Sequence, residues 1–208
     1  MTEKLKLYGI PRSRAFRTLW CIEELGIPYE PVAIGFDDGT NRTPQFLAVN
    51  PNGKVPAIGD GAFSLWESLA INLYLAKKHG AGRLYPKSLE DEARCWQWSF
   101  WTANEIEGNL SQWGYNTIVL PANERDPAKA KAALEALAAP LSVLEGELSK
   151  RSYLVDPKAF TVADLNVASV MFRAHAGMDL SQRPNIKRWL DACYARPAAK
   201  KALAIREG

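Results

Sequence analysis

Cysteine is scarce in this chain of 208 residues: only Cys21, Cys95 and Cys193 occur. They are odd in number, far apart and form no C-x-x-C pair. That argues against a disulfide framework and points to a reducing, cytoplasmic setting. Histidine is scarcer still, and His79 and His175 stand at no ligand spacing from a cysteine or an acidic cluster, so no metal is expected. No apolar run approaches the roughly 18 residues a membrane span requires. The opening MTEKLKLYG has no apolar stretch of the kind a secretory leader carries. Charge of a single sign is also missing. The 26 basic and 23 acidic residues are interspersed and sum to +3. Without a basic block, nucleic acid is not an expected partner.

What is present describes a globular chain. Hydrophobic residues make up 47% and charged residues 24%, enough to build a packed core. The length suits two small domains. Residues 1–79 read as mixed α/β. Lys4–Tyr8 alternates polar and apolar as a strand does, and Ala15–Leu25 is an amphipathic helix stopped by Gly26. Tyr29–Ala33 is a second strand whose Pro31 assigns it to a sheet edge. Ala57–Gly59 and Phe63–Leu65 form a hairpin across Asp60-Gly61, and Ser68–Lys78 is a helix. Residues 80–87, with Gly80, Gly82 and Pro86, read as a linker. Strand signals then stop, and residues 88–208 read as an all-helical domain. Ser88 opens a long aromatic helix, and Asp126-Pro127 starts another that Pro140 is expected to kink or offset. Thr161 to Asp164 resembles a capping box. Pro184–Ala195 and Pro197–Arg206 complete the chain. The order βαβ then ββα, with proline just before the third strand, resembles the thioredoxin-like fold, followed here by a helical bundle.

The chemistry concentrates in Asn50–Ile58 and in Trp66-Glu67-Ser68. A cis bond at Val55-Pro56 would turn the chain and leave the N–H and C=O of Val55 facing outward, where an extended peptide can pair with them as a strand would. Glu67 and Ser68 stand where a strand hands over to a helix. Unpaired N–H groups and the helix dipole there favour an anion. Ser68 can donate to a carboxylate and Glu67 can pair with an ammonium, a combination suited to the α-amino-acid end of a γ-glutamyl group. The plainer readings are a trans proline at a strand entrance and a simple serine cap. Cys21 lies inside the first helix and reads as a small core hydrophobe.

These residues carry a family resemblance. Tyr8-Gly9-Ile10-Pro11-Arg12-Ser13, Arg17-Thr18-Leu19-Trp20, Glu23-Glu24-Leu25-Gly26, Tyr29-Glu30, Asn50–Ile58 and Glu67-Ser68 are similar to the glutathione-binding half of a cytosolic glutathione transferase. Thr161–Asp164, Pro184–Trp189 and Ala195–Pro197 resemble its helical half. The spacing of Ser13 from Tyr8 matches the serine-type, theta- and phi-like classes. The resemblance implies a homodimer that uses glutathione as co-substrate. Ser13 would donate to the glutathione sulfur and hold it as thiolate, with a simple helix cap as its other reading. A free thiol has a pKa of about 8.5, and lowering it by two units takes roughly 2.7 kcal/mol, within reach of one charge-assisted hydrogen bond and a helix dipole. Tyr8 is the alternative donor, since other classes use a tyrosine at the end of the first strand. Lys54, Arg42 and Asn41 are the candidates for the glycine carboxylate, although families of this type often have histidine at the position of Asn41 and lysine at that of Arg42. Trp113 and Tyr115 are candidate walls for an apolar electrophile, or helix packing. Two other readings stay open: a glutathione-transferase-like binding module without turnover, and a specialised glutathione-dependent dehalogenase, isomerase or peroxidase.

Overall fold

The computed structural model describes residues 4–208. By its contacts the chain divides into two compact units: residues up to Lys87 together with Ala195–Gly208, and Ser88–Tyr194.

The first unit contains β1 (Leu5–Tyr8), α1 (Ala15–Leu25), β2 (Tyr29–Val32), α2 (Pro44–Val49), β3 (Ala57–Asp60), β4 (Phe63–Trp66) and α3 (Ser68–His79). The sheet order is β2-β1-β3-β4, with β1 and β2 parallel and the other pairings antiparallel. This is the thioredoxin-like arrangement expected from the sequence. Pro31 lies on the edge strand β2, where its missing N–H removes no interior ladder bond. Leu5 and Leu7 are buried, and α1 and α3 pack against one another with Phe16, Leu19, Trp20, Ile71 and Leu75 in the core. Gly26 ends α1 in the left-handed conformation at φ 66°, as the sequence predicted.

The second unit is helical: α4 (Leu89–Trp101), α5 (Glu107–Gly114), α6 (Pro127–Leu148), α7 (Val162–Val170), α8 (Phe172–Gly177) and α9 (Pro184–Tyr194). Single π turns at Thr102–Ile106 and Tyr115–Val119 follow α4 and α5. Ser88 and Asp126 cap α4 and α6 through their side chains. Pro140 lies inside α6 without ending it. The buried stripe Ala133, Leu137, Leu141, Leu144 and Leu148 continues on both sides and holds the helix across the lost hydrogen bond. At the start of α7 the capping box is closed by Asp164, one carbon shorter than the usual Glu. Its carboxylate accepts from Leu154 N–H at 2.8 Å, Thr161 N–H at 2.9 Å, Thr161 Oγ1 at 3.0 Å and Trp189 Nε1 at 3.0 Å. Burial pushes Asp164 up to about 6 against the pull of those donors.

The last helix, α10 (Pro197–Glu207), belongs with the first unit rather than with the helical half that the sequence assigned it to. Its Ala199 and Ala202 are buried, and it runs antiparallel to α1. Arg196 binds Glu24 through two bonds of 2.6 and 2.8 Å, and Lys201 meets Glu23 at 2.7 Å. Residues 80–87 are likewise not a loose connector. Leu84 and Tyr85 are buried, and Arg83 donates to the carbonyl of Leu25 at 3.3 Å. Cys21, Cys95 and Cys193 are buried and form no disulfide with one another. Burial pushes the Cys95 thiol up to about 12 and the Cys21 thiol higher still, which suits packing rather than chemistry.

Asp164→Asn keeps the shape but turns an amide N–H₂ toward donors. It is expected to cost about 3 kcal/mol, read as a lowered urea midpoint.

Candidate functional site

Three segments of the first unit converge at the end of β1. Gly9 has φ 132°, and a Cβ placed there would lie 2.8 Å from Ala15 Cβ and 3.1 Å from Val55 Cβ. Only glycine fits. That contact brings together the strand end, the start of α1 and the turn before β3. The β1–β2 ladder continues through Gly9 N–H to Val32 and Ile10 N–H to Ile34, at 3.0 and 3.1 Å, so the loop leaving it is anchored.

Ser13 sits in that loop, two residues before α1 begins, and is half-buried. Its N–H closes a turn onto Ile10 C=O at 3.0 Å. Its Oγ accepts from Ala15 N–H at 3.0 Å and donates to the same Ile10 carbonyl at 2.7 Å. The single hydroxyl proton is therefore engaged with a neutral acceptor that already holds a second donor. A nearby thiolate is the stronger acceptor, by about a factor of two for a charge-assisted bond. Turning the hydroxyl toward it leaves Ile10 C=O satisfied by Ser13 N–H. The Ala15 N–H that Oγ accepts polarises the hydroxyl further.

Tyr8 is directed elsewhere. Gly9, one residue on, faces α1, so Tyr8 faces the other side of the sheet. Its ring packs on Phe46 of α2 at 6.0 Å between centroids and lies beside Gly59 of the neighbouring strand.

The segment before β3 is a built turn. Asn50 is buried. Its Nδ2 donates to Lys54 C=O at 2.6 Å, and its Oδ1 accepts from Asn52 N–H at 3.0 Å. Val55-Pro56 is cis, as the sequence predicted. Among the described residues, neither the N–H nor the C=O of Val55 takes a hydrogen-bond partner. Asn41 is buried and donates to Gly53 C=O at 2.8 Å, so its amide ties the turn to the preceding loop rather than projecting outward. Arg42 and Lys54 are both exposed, and Arg42 Nη1 lies 2.9 Å from where a Cβ on Gly53 would stand.

Across the sheet, Glu67 has φ 72° and ψ 108°, the one non-glycine residue with positive φ among those described. Its side chain is exposed and makes no cap bond, while Ser68 begins α3 and is buried. Strain of this kind typically costs 1 kcal/mol or more and persists where surrounding structure requires it. Arg17, a residue to which sequence reasoning gave no role, is buried on α1 and donates from Nη1 to Ser68 Oγ at 3.4 Å. An arginine on the otherwise apolar face of α1 was the available signal.

In the second unit, Trp113 is buried within the helices, whereas Tyr115 is exposed with the Arg173 guanidinium 5.0 Å above its ring. Among the described residues, no group of three or more His, Cys, Asp and Glu side chains is arranged to hold a metal ion, and no helix is long and apolar enough to cross a membrane.

Residues 3–77 match the glutathione S-transferase N-terminal domain, and residues 108–197 match the glutathione S-transferase C-terminal domain. The chain belongs to the glutathione S-transferase family. It is 34% identical over 193 residues to glutathione S-transferase GstB of Escherichia coli strain K12, covering 91% of this chain and 92% of that one. It is 33% identical over 208 residues to glutathione S-transferase 3 of Zea mays, covering 96% and 93%. Among solved structures it is similar to the theta class glutathione S-transferase of Xanthomonas axonopodis pv. citri with glutathione bound. The TM-score is 0.88 at 31% identity, with 97% of each chain covered.

Glu67→Gly removes the strained conformation. It is expected to raise the unfolding free energy by about 1 kcal/mol, measured by chemical denaturation, if the strain serves something other than folding.

Proposed function

We propose that this glutathione transferase joins the glutathione thiolate to electrophilic, largely apolar small molecules, with Ser13 as the donor that holds the sulfur ionised. The observation that carries this reading is the bonding of Ser13. Its hydroxyl sits at the start of α1, is polarised by Ala15 N–H, and has its proton on a carbonyl that can release it at little cost. The position of the Tyr8 ring against Phe46 and Gly59 favours Ser13 over Tyr8.

The rest of the tripeptide follows the same chemistry. Its cysteinyl backbone pairs with the open N–H and C=O of Val55 as an added strand. The γ-glutamyl carboxylate takes Ser68 Oγ and the N-terminal amides of α3, where the helix dipole favours an anion. Glu67, exposed beside them, takes the ammonium. Lys54 and Arg42 supply positive charge for the glycine carboxylate, and Asn41 holds the turn that presents Lys54. Tyr115 with Arg173, and Trp113 on the preceding helix α5, are proposed to shape the place of the electrophile. The protein then contributes orientation and charge stabilisation, because the nucleophile belongs to the co-substrate. Conjugation of this kind suits a detoxification role.

A homodimer is supported by apolar surface that each unit leaves uncovered. On α4, Leu89, Trp96 and Phe100 are exposed to 70%, 41% and 65% and share one helix face. On β4, Phe63 and Trp66 are exposed to 46% and 38%. Three buried cysteines that form no disulfide fit a reducing cytoplasm.

Ser13→Ala is expected to raise the apparent pKa of the bound thiol by about one to two units, read from ultraviolet thiolate absorbance against pH. The direction follows from the charge. Losing the donor disfavours the thiolate, so less of it is present at neutral pH. The turnover profile then moves to higher pH, with a roughly 3- to 25-fold loss near pH 7 for a thiol that starts about two units below its free value. An unchanged thiol pKa in Ser13→Ala together with a raised one in Tyr8→Phe would transfer the role to Tyr8. For the dimer, Phe100→Glu is expected to shift sedimentation from dimer toward monomer.

A further inference from the structure

The C-terminal helix does more than cover α1. It runs antiparallel to α1, fastened at its start by Arg196 on Glu24 and in its middle by Lys201 on Glu23. Its last turn therefore arrives at the beginning of α1, beside the loop that carries Ser13. There Arg206 Nη1 donates to Pro11 C=O at 2.7 Å and reaches Ser13 C=O at 3.4 Å. The guanidinium lies 5.5 Å from the centroid of the Phe16 ring.

Each of those acceptors belongs to the Ser13 loop. Pro11 follows Ile10 in the turn that Ser13 N–H closes, a position where proline's fixed φ is favoured. A carbonyl at that point of a turn faces away from the turn's own hydrogen bond. Ser13 C=O already accepts from Phe16 N–H at 3.3 Å in the first turn leading into α1. One charged nitrogen, Nη1, shared between both carbonyls fixes the loop at two points on either side of Arg12. The cation–π contact with Phe16 holds the guanidinium to the helix it serves.

We propose that Arg206 is a positioning residue for the thiolate-stabilising hydroxyl. By gripping Pro11 and Ser13 from α10, it sets where Ser13 Oγ points, and so couples the end of the chain to the acidity of the bound thiol. The proposal rests on Ser13 being the thiolate donor. Arg206 acts through the loop and is not assigned a contact with the tripeptide.

The test uses the full-length chain and glutathione itself, with Arg206→Met, Arg206→Lys, Ser13→Ala and the double variant Ser13→Ala/Arg206→Met. Three quantities are measured: the apparent pKa of the bound thiol by ultraviolet absorbance, the glutathione dissociation constant, and kcat with an aryl halide. Arg206→Met is expected to raise the thiol pKa by about half a unit to one unit, part of what a charge-assisted bond contributes. Measured below the bound thiol's pKa, where the thiol form binds, glutathione affinity should stay within about twofold. Arg206→Lys keeps a charged donor on a shorter stem without the guanidinium plane over Phe16, and should fall between the parent and Arg206→Met. In the Ser13→Ala background, Arg206→Met should produce no further shift. That non-additivity is what a residue acting through Ser13 requires and a general stabilising contact does not.

An unchanged thiol pKa in Arg206→Met while Ser13→Ala shifts it overturns the proposal and leaves the Ser13 reading intact. Additive shifts in the double variant overturn it too, since Arg206 would then act by its own charge. If Ser13→Ala itself leaves the pKa unmoved, the reading beneath the proposal falls with it. Melting curves accompany each variant. Should Arg206→Met fail to fold, Arg206→Lys alone and with Ser13→Ala decides by the same criteria.

Discussion

The first unit is organised around a contact that admits no side chain. Position 9 lies between Ala15 and Val55, closer to both than a methyl group could be accommodated. Because glycine stands there, the end of β1, the start of α1 and the turn into β3 meet at one point. Each of those segments carries a different chemical group: a hydroxyl on the loop, a helix with its positive end, and a backbone amide and carbonyl left unpaired. None of the three is unusual alone. Their proximity follows from the close approach at Gly9, which in turn needs the β1–β2 ladder to run on through Ile10 and hold the chain in register.

Charge in this unit is handled mostly by the ends of helices. Ser13 stands before α1, and Ser68 begins α3, so each hydroxyl adds one donor to a row of N–H groups that the helix cannot satisfy internally. The strained Glu67 fits this economy. An extended or helical residue at that position would enter α3 with a different exit vector for the carboxylate. The left-handed conformation presents it outward, beside the helix terminus rather than along it. Arg17 approaches the same terminus from the core side. A cation, a hydroxyl and an acid are thus gathered around one helix start, as recognition of a zwitterionic amino-acid group would require.

The helical unit is held by a different device. Asp164 gathers donors from Leu154, Thr161 and Trp189, residues distributed along the chain, onto one carboxylate at the start of α7. The local half of this, Thr161 with Asp164, is a short-range motif. The indole of Trp189 reaches it only after α9 has packed. Glu145 works in the same way at the start of α9, accepting from Asn185 and Ile186. Both carboxylates join a helix end to a distant segment, so the unit is tied by caps as well as by its apolar stripes.

Local physics made much of this legible before any coordinates. Pro31 announced an edge strand, Gly26 a helix end, Asp126-Pro127 a helix start, and Asn50–Pro56 a turn into a cis peptide, because each depends on backbone preferences of one to four adjacent residues. Ser13, Val55, Glu67 and Ser68 could be singled out for the same reason: each stands at the end of an element. What the tertiary structure decided lies in contacts between segments far apart in sequence. The parity of the strand and the packing of Phe46 set the Tyr8 ring on the face of the sheet away from α1. Only the folded chain shows the Asn41 amide donating to Gly53 C=O. The assignment of 197–207 to the first unit, and with it Arg206 on the Ser13 loop, depended on ion pairs to Glu23 and Glu24, about 170 residues away. A sequence determines by itself what neighbouring residues impose on the backbone. Which side chain faces which partner is settled by how the elements pack, since a hydrogen bond forms only at distances that the whole fold sets.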